Sequence, residues 1–127
     1  LAGTNQLWQR TGFFPSTNFT SAAGSPGFGT EWIVGGQSLL AALQGGLIVQ
    51  IKIKGTQTTL NSAFFGEQAA AGLLNAAAFS PNNYPDSLSR VQQMIRAIWS
   101  STPTSTSQAQ SSLNTVASQL SPLNINT

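Results

Sequence analysis

The stretch Gly45-Gly-Leu-Ile-Val-Gln-Ile-Lys-Ile-Lys-Gly55 decides how the chain is read. Glycines fence it at both ends, and between them Val49, Ile51 and Ile53 alternate with Gln50, Lys52 and Lys54. A period of two is the signature of a β-strand, here at about residues 47–54, with one face for a core and one for water. Such a strand needs a partner, yet most of the surrounding sequence is rich in Ala, Ser, Thr, Asn and Gln and reads as helical or irregular. Two segments can supply one. Trp32-Ile-Val34 is short and lies before the Gly35-Gly36 break, and Leu123-Asn-Ile-Asn-Thr127 alternates with the same period at the far end.

Between the first of these and the strand, Ser38 reads as the N-cap of a brief helix, Leu39 to Leu43, stopped by Gly45-Gly46. On the other side, Thr58 or Thr59 caps a longer helix in which Leu60, Phe64, Ala71, Leu74 and Ala78 recur at helical spacing, with an Ala-rich run from Ala69 to Ala78 that lets a neighbour approach closely. Pro81 to Pro85 breaks the chain. Asp86 or Ser87 starts a second amphipathic helix with Leu88, Val91, Ile95 and Ile98 as its stripe. A Ser/Thr-rich linker spans residues 100–107, and a third helix carries Leu113, Val116 and Leu120 up to Pro122.

The expected fold is therefore mainly α with a small β-sheet, an α+β chain of three amphipathic helices around the strand at 47–54. Residues 1–30 form an irregular N-terminal arm, 31–101 the core, and 102–127 a linker, the third helix and a strand-like tail. Gly3, Gly12, Pro15, Gly24, Pro26, Gly27 and Gly29 keep regular structure short in the arm, leaving Trp8, Phe13 and Phe14 to pin it onto the body or onto a neighbour.

Composition limits the chemistry. The chain has 127 residues, 40% of them hydrophobic, so it can bury an ordinary core without metal or disulfide. Only 6% are charged, against about 25% in typical domains. Amides and hydroxyls must wet the surface, and the weak like-charge repulsion of a +2 net charge makes self-association easy. The five cations are scattered, so no phosphate-binding patch and no nucleic-acid partner are expected. No apolar run reaches the ~20 residues of a membrane span. Leu1 in place of an initiating Met fits removal of an export signal.

There is no His and no Cys, and Glu31, Glu67 and Asp86 are dispersed, so the sequence nominates no metal, cofactor or catalytic residue. The Gly pairs at 35–36 and 45–46 lack the spacing and the lysine of phosphate-binding loops and read as turns. Asn18-Phe-Thr20 is an N-glycosylation sequon, which has meaning in a secreted chain.

Three further segments go together: Ser25-Pro-Gly-Phe28, Gln68-Ala-Ala-Ala-Gly-Leu-Leu-Asn-Ala-Ala77, and Tyr84-Pro85 ahead of the Val91/Ile95 helix. Over roughly residues 25–99 the chain resembles a module of secreted and cell-surface proteins in bacteria and archaea. There an S-P-G-[FY]-W-K-N-H motif precedes an A-[AV]-A-x-L-L-N-A helix and a helix opened by Y-P. Gly29-Thr-Glu-Trp32 stands where W-K-N-H would be, so any role of that His is lost. The resemblance implies an exported surface protein and transfers no functional residue.

The function expected from these readings is structural: a subunit of an extracellular homopolymer such as a pilus-like filament, sheath or surface layer, at the cell surface, with other copies of itself as partners. Assembly would use the arm (Trp8, Phe13, Phe14), the strand (Val49, Ile51, Ile53) and the tail (Leu123, Ile125), the tail adding to the strand of its own copy or of another. The alternative is a secreted module that binds a glycan or another surface ligand through exposed aromatics. A viral capsid or tail subunit comes third, and an enzyme last.

Overall fold

The computed structural model describes residues 5–27 and 31–125. Phe28 to Thr30 of the motif region and Asn126-Thr127 of the tail lie outside the described residues, as does the side chain of Ile125. Along the chain run α1 (Asn5–Thr11), α2 (Phe19–Ala23), β1 (Trp32–Val34), α3 (Leu39–Leu43), β2 (Val49–Ile53), β3 (Thr56–Thr59), α4 (Ala63–Phe79), α5 (Leu88–Ser100) and α6 (Thr106–Ile125). The fold is the small α+β type expected, with more helices than the sequence announced.

The strand at 47–54 finds partners on both sides. The sheet is antiparallel in the order β1-β2-β3, with Trp32 opposite Ile51 on one side and Ile51 opposite Thr58 on the other. Trp32-Ile-Val34 pairs as the sequence suggested. The second partner is a correction, because Thr58 and Thr59 belong to a strand and cap no helix. Lys54 and Gly55 both take positive φ, 52° and 82°. Two such residues make the mirror-image turn whose twist matches a hairpin, so the chain folds back at once beside β2. The α4 helix then starts only at Ala63, and the Ser62 hydroxyl donates to the Leu47 carbonyl at 2.6 Å.

The α3 helix forms as read. The Ser38 hydroxyl accepts from the Ala41 N–H at 3.1 Å. At the other end the N–H of Gly46 reaches the Ala41 carbonyl at 2.8 Å and that of Gly45 the Ala42 carbonyl at 3.0 Å. This is the glycine-terminated helix end in which Gly45, at φ +82°, takes the left-handed conformation. The α5 helix starts behind Ser87, whose hydroxyl accepts from the Arg90 N–H at 3.1 Å.

The α4 helix departs from the amphipathic pattern expected of it. Phe65, Gly66, Ala69, Ala70, Gly72, Leu73, Leu74, Asn75 and Ala76 are buried, which leaves hardly a wet side. A helix that is apolar nearly all round belongs at the centre, and α4 packs against α1, α3, α5 and α6. Its glycines mark the closest approaches: a Cβ on Gly66 would lie 2.8 Å from the Leu47 Cβ, and one on Gly72 3.4 Å from the Leu120 methyls. Phe64, by contrast, is 45% exposed, so its place in the expected stripe is taken by Phe65.

Residues 1–30 were expected to be irregular, but α1 and α2 are helices within them. Short helices form there because each lays an aromatic on the body: Trp8 and Phe19 are buried in the same core as Leu73, Ile95 and Leu113. Arg10 ties the end of α1 to α4, with its guanidinium 4.8 Å from the Phe79 ring centre and 3.3 Å from the Ala78 carbonyl.

The strand-like tail is a second correction. Residues 123–125 continue α6, which passes through Pro122 to Ile125. Proline forfeits one helical hydrogen bond, and the last turn is held instead by Asn124. Its Oδ1 accepts from the Tyr84 Oη at 2.8 Å and the Asn75 Nδ2 at 3.3 Å, and its Nδ2 donates to the Gln68 carbonyl at 3.0 Å and to the Gln68 Oε1 at 2.8 Å. Leu123 packs on the core beside it. Tyr84, the chain's single tyrosine, is fully buried.

Burial, and then the negative charge of Asp86, push the Tyr84 phenol from 10.0 up to about 12. The folded chain thus holds this proton more tightly than the unfolded one. The resulting stabilisation is complete below pH 10.0 and is lost as pH climbs towards 12. Tyrosinate absorbance, which reports one residue here, is expected to titrate late in the folded protein. Tyr84→Phe is expected to remove that part of the alkaline loss of stability; an unchanged profile would count against it.

Candidate assembly surface

The sheet has one buried face and one wet face. Trp32, Val49 and Ile51 point into the core, whereas Ile33, Gln50, Lys52, Gln57 and Thr59 share the opposite face. There a side-chain ladder runs across β2 and β3, the Gln57 amide donating to the Gln50 carbonyl oxygen at 2.8 Å and the Gln50 amide to the Thr59 hydroxyl at 2.9 Å.

The outer edge of β3 has its own pattern. The N–H of Leu60 donates inward to the Val49 carbonyl at 2.9 Å. Along an antiparallel strand, main-chain groups alternate in direction, so Thr56 and Thr58 also face inward while Gln57, Thr59 and Asn61 face out. Asn61 is covered. The Gln110 carboxamide of α6 accepts from the Asn61 N–H and donates to the Asn61 carbonyl, both at 2.8 Å, which is what a neighbouring strand would do. Gln37 plays half of this role at another end of the sheet, accepting from the Ile48 N–H at 3.0 Å. No neighbour among the described residues covers the outward groups of Gln57 and Thr59. Threonine and glutamine make this an uncharged, exposed rim.

At the turn end of the sheet, the hairpin turn, Glu31 ahead of β1 and the α5–α6 loop border an open cleft of about 740 Å³ lined by Glu31, Lys52, Ile53, Lys54, Thr102, Pro103 and Thr104. Three of the chain's charged side chains meet there. Among the described residues no three His, Cys, Asp or Glu side chains gather to hold a metal ion.

The structure distributes the residues nominated for assembly. Trp8 is 6% exposed against its own core, and Val49 and Ile51 are fully buried. Phe13, Ile53 and Leu123 are half-buried on that core. Among the described residues, β1 and β3 flank β2 on its two edges and the molecule's own helices pack beneath it. Phe14 differs, at 69% exposed. Asn18 is exposed at the start of α2 and makes no capping bond, so its carboxamide is presented to solvent. Trp32 and Trp99, at 3% each, join Trp8 in the interior and offer no ring face to a sugar.

What the sequence reading missed is the β3 rim and its Gln110 cover. The signal was a two-residue x-Gly turn directly after an alternating strand, which marks a hairpin whenever the next residues tolerate extension. No helix among the described residues is long and apolar enough to cross a membrane. Searches of protein-family models, curated proteins and solved structures returned no match to this chain.

Proposed function

We propose that the chain is a structural subunit of an extracellular homopolymer, a filament, sheath or surface layer whose copies meet through the rim of β3. The observation that carries this reading is the uncharged edge at Thr56–Thr59, where main-chain donors and acceptors face outward. An open edge is a template for another strand, and proteins that avoid pairing guard such edges with charge, proline or a covering element. Here the guard stops at Asn61. A net charge of +2 adds little repulsion between copies. Phe14 supplies an exposed apolar anchor for the second contact that a polymer, as opposed to a closed pair, requires. The export and surface location in this reading rest on the resemblance at residues 25–99.

The test is sedimentation velocity over a wide concentration range, with negative-stain microscopy of the most concentrated sample. Species heavier than the 13.3 kDa chain, growing with concentration, are expected. A 13.3 kDa monomer at every concentration overturns the reading.

A further inference from the structure

Building on that assembly reading, we infer that the occupant of the β3 rim is β3 of a second copy, paired antiparallel about a two-fold axis at Thr58. The argument starts from which groups are available. Gln57 and Thr59 each turn one N–H and one carbonyl outward, while Thr58 between them faces β2. An antiparallel partner that satisfies all four groups places its Thr59 opposite Gln57 and its Gln57 opposite Thr59. This arrangement is symmetric about Thr58 and closes four main-chain hydrogen bonds.

The side chains agree with this register. Gln57 would stand across from Thr59 of the other copy on the wet face, repeating the Gln50–Thr59 pair that already exists across β2 and β3 with its 2.9 Å hydrogen bond. The amide and hydroxyl ladder would then run unbroken through both sheets. Charge raises no objection, because the segment Thr56-Gln-Thr-Thr59 has none, and Lys52 and Lys54 lie one strand in and at the turn.

The Gln110 cover selects this occupant over an arbitrary extended peptide. A strand running past Thr59 towards Asn61 would have to displace the carboxamide from both of its 2.8 Å bonds. In the two-fold arrangement the position opposite Asn61 falls to the second copy's Gly55, where that chain has already turned away into its hairpin. The open rim is as long as the symmetric pairing needs and no longer.

Cysteine scanning tests the register, since the chain has no cysteine of its own. Across the axis, residue 58 meets its own copy as a non-hydrogen-bonded pair with Cα atoms about 4.5 Å apart, inside the span a disulfide accepts. Residue 57 lies about 8 Å from its copy, outside that span. Under mild oxidation of folded protein, Thr58→Cys is expected to give a covalent dimer and Gln57→Cys to stay monomeric. Thr59→Pro removes one outward N–H per copy and leaves the main-chain bonds between β2 and β3 in place, and proline is tolerated at such edge positions; Thr59→Val, which loses only the hydroxyl that accepts from Gln50, is the control for the side-chain bond. The proline variant should weaken association at least about tenfold while circular dichroism stays that of the parent. Self-association of the parent without Thr58→Cys crosslinking, or equal crosslinking at 57 and 58, overturns this register and leaves the assembly reading standing. A parent that stays monomeric throughout overturns both.

Discussion

Trp99→Ala is expected to lower the unfolding free energy by about 3–5 kcal/mol, the range for truncating a buried aromatic. The indole sits edge-on against Trp32, with ring centres 5.5 Å apart, and against Phe65 at 6.0 Å, while Phe65 meets Phe19 at 6.1 Å. Its N–H donates to the Gly24 carbonyl at 3.0 Å, just after α2. One side chain thereby joins α2, α4, α5 and β1. Total stability of a domain is only about 5–15 kcal/mol, so the loss should be plain in a urea titration as a lower midpoint with a similar slope. Trp99→Phe keeps a ring and gives up the hydrogen bond, so a smaller loss is expected. A truncation that costs under about 1 kcal/mol would mean that this aromatic chain is not the centre of the core.

Asn124→Leu carries the second large effect, about 2–4 kcal/mol. The substitution leaves the Tyr84 hydroxyl, the Asn75 amide and the Gln68 carbonyl without their shared partner, and each stranded buried group costs about 1–3 kcal/mol unless it rearranges. Asn124→Asp separates hydrogen bonding from packing. It keeps the shape and both accepting bonds but turns an oxygen towards the Gln68 carbonyl and Oε1, so it should also destabilise. A double-mutant cycle with Tyr84→Phe is expected to show strong coupling, because both residues act through one 2.8 Å hydrogen bond. Additive effects would dissolve the network.

Most of what could be read from the sequence came from local chemistry. Ser38 and Gly45-Gly46 bracket α3, and the alternation through Val49, Ile51 and Ile53 describes β2 and its buried face, because caps and periodicities act over a few residues. Tertiary context decided the rest. Thr58 is as good a helix cap as a strand residue, and only β2 alongside makes it a strand. Leu123-Asn-Ile-Asn-Thr127 alternates like a strand, yet Asn124 earns its helical place from Tyr84 and Gln68, distant in the chain. The start of α6 could have been read: Ser105 and Gln108 have the spacing of a capping box, and the Ser105 hydroxyl does accept from the Gln108 N–H at 3.1 Å. Of the candidate site, Phe14 and Lys52 on the outer strand face were legible, whereas Lys54, read as the next strand residue, sits in the hairpin turn. The β3 rim was not, since it depends on which main-chain groups the fold leaves facing out.

Gln110 stands where a fourth strand would run, and its imitation of a peptide bond depends on one nitrogen. Hydrolysis of that amide to a carboxylate keeps an acceptor against the Asn61 N–H but sets a second acceptor against the Asn61 carbonyl, where a donor used to be. The cover would lift and a third rung of the rim would open. Chemical ageing at a single side chain would thus lengthen the exposed main-chain edge by one residue, and with it the range of extended segments the edge could accept.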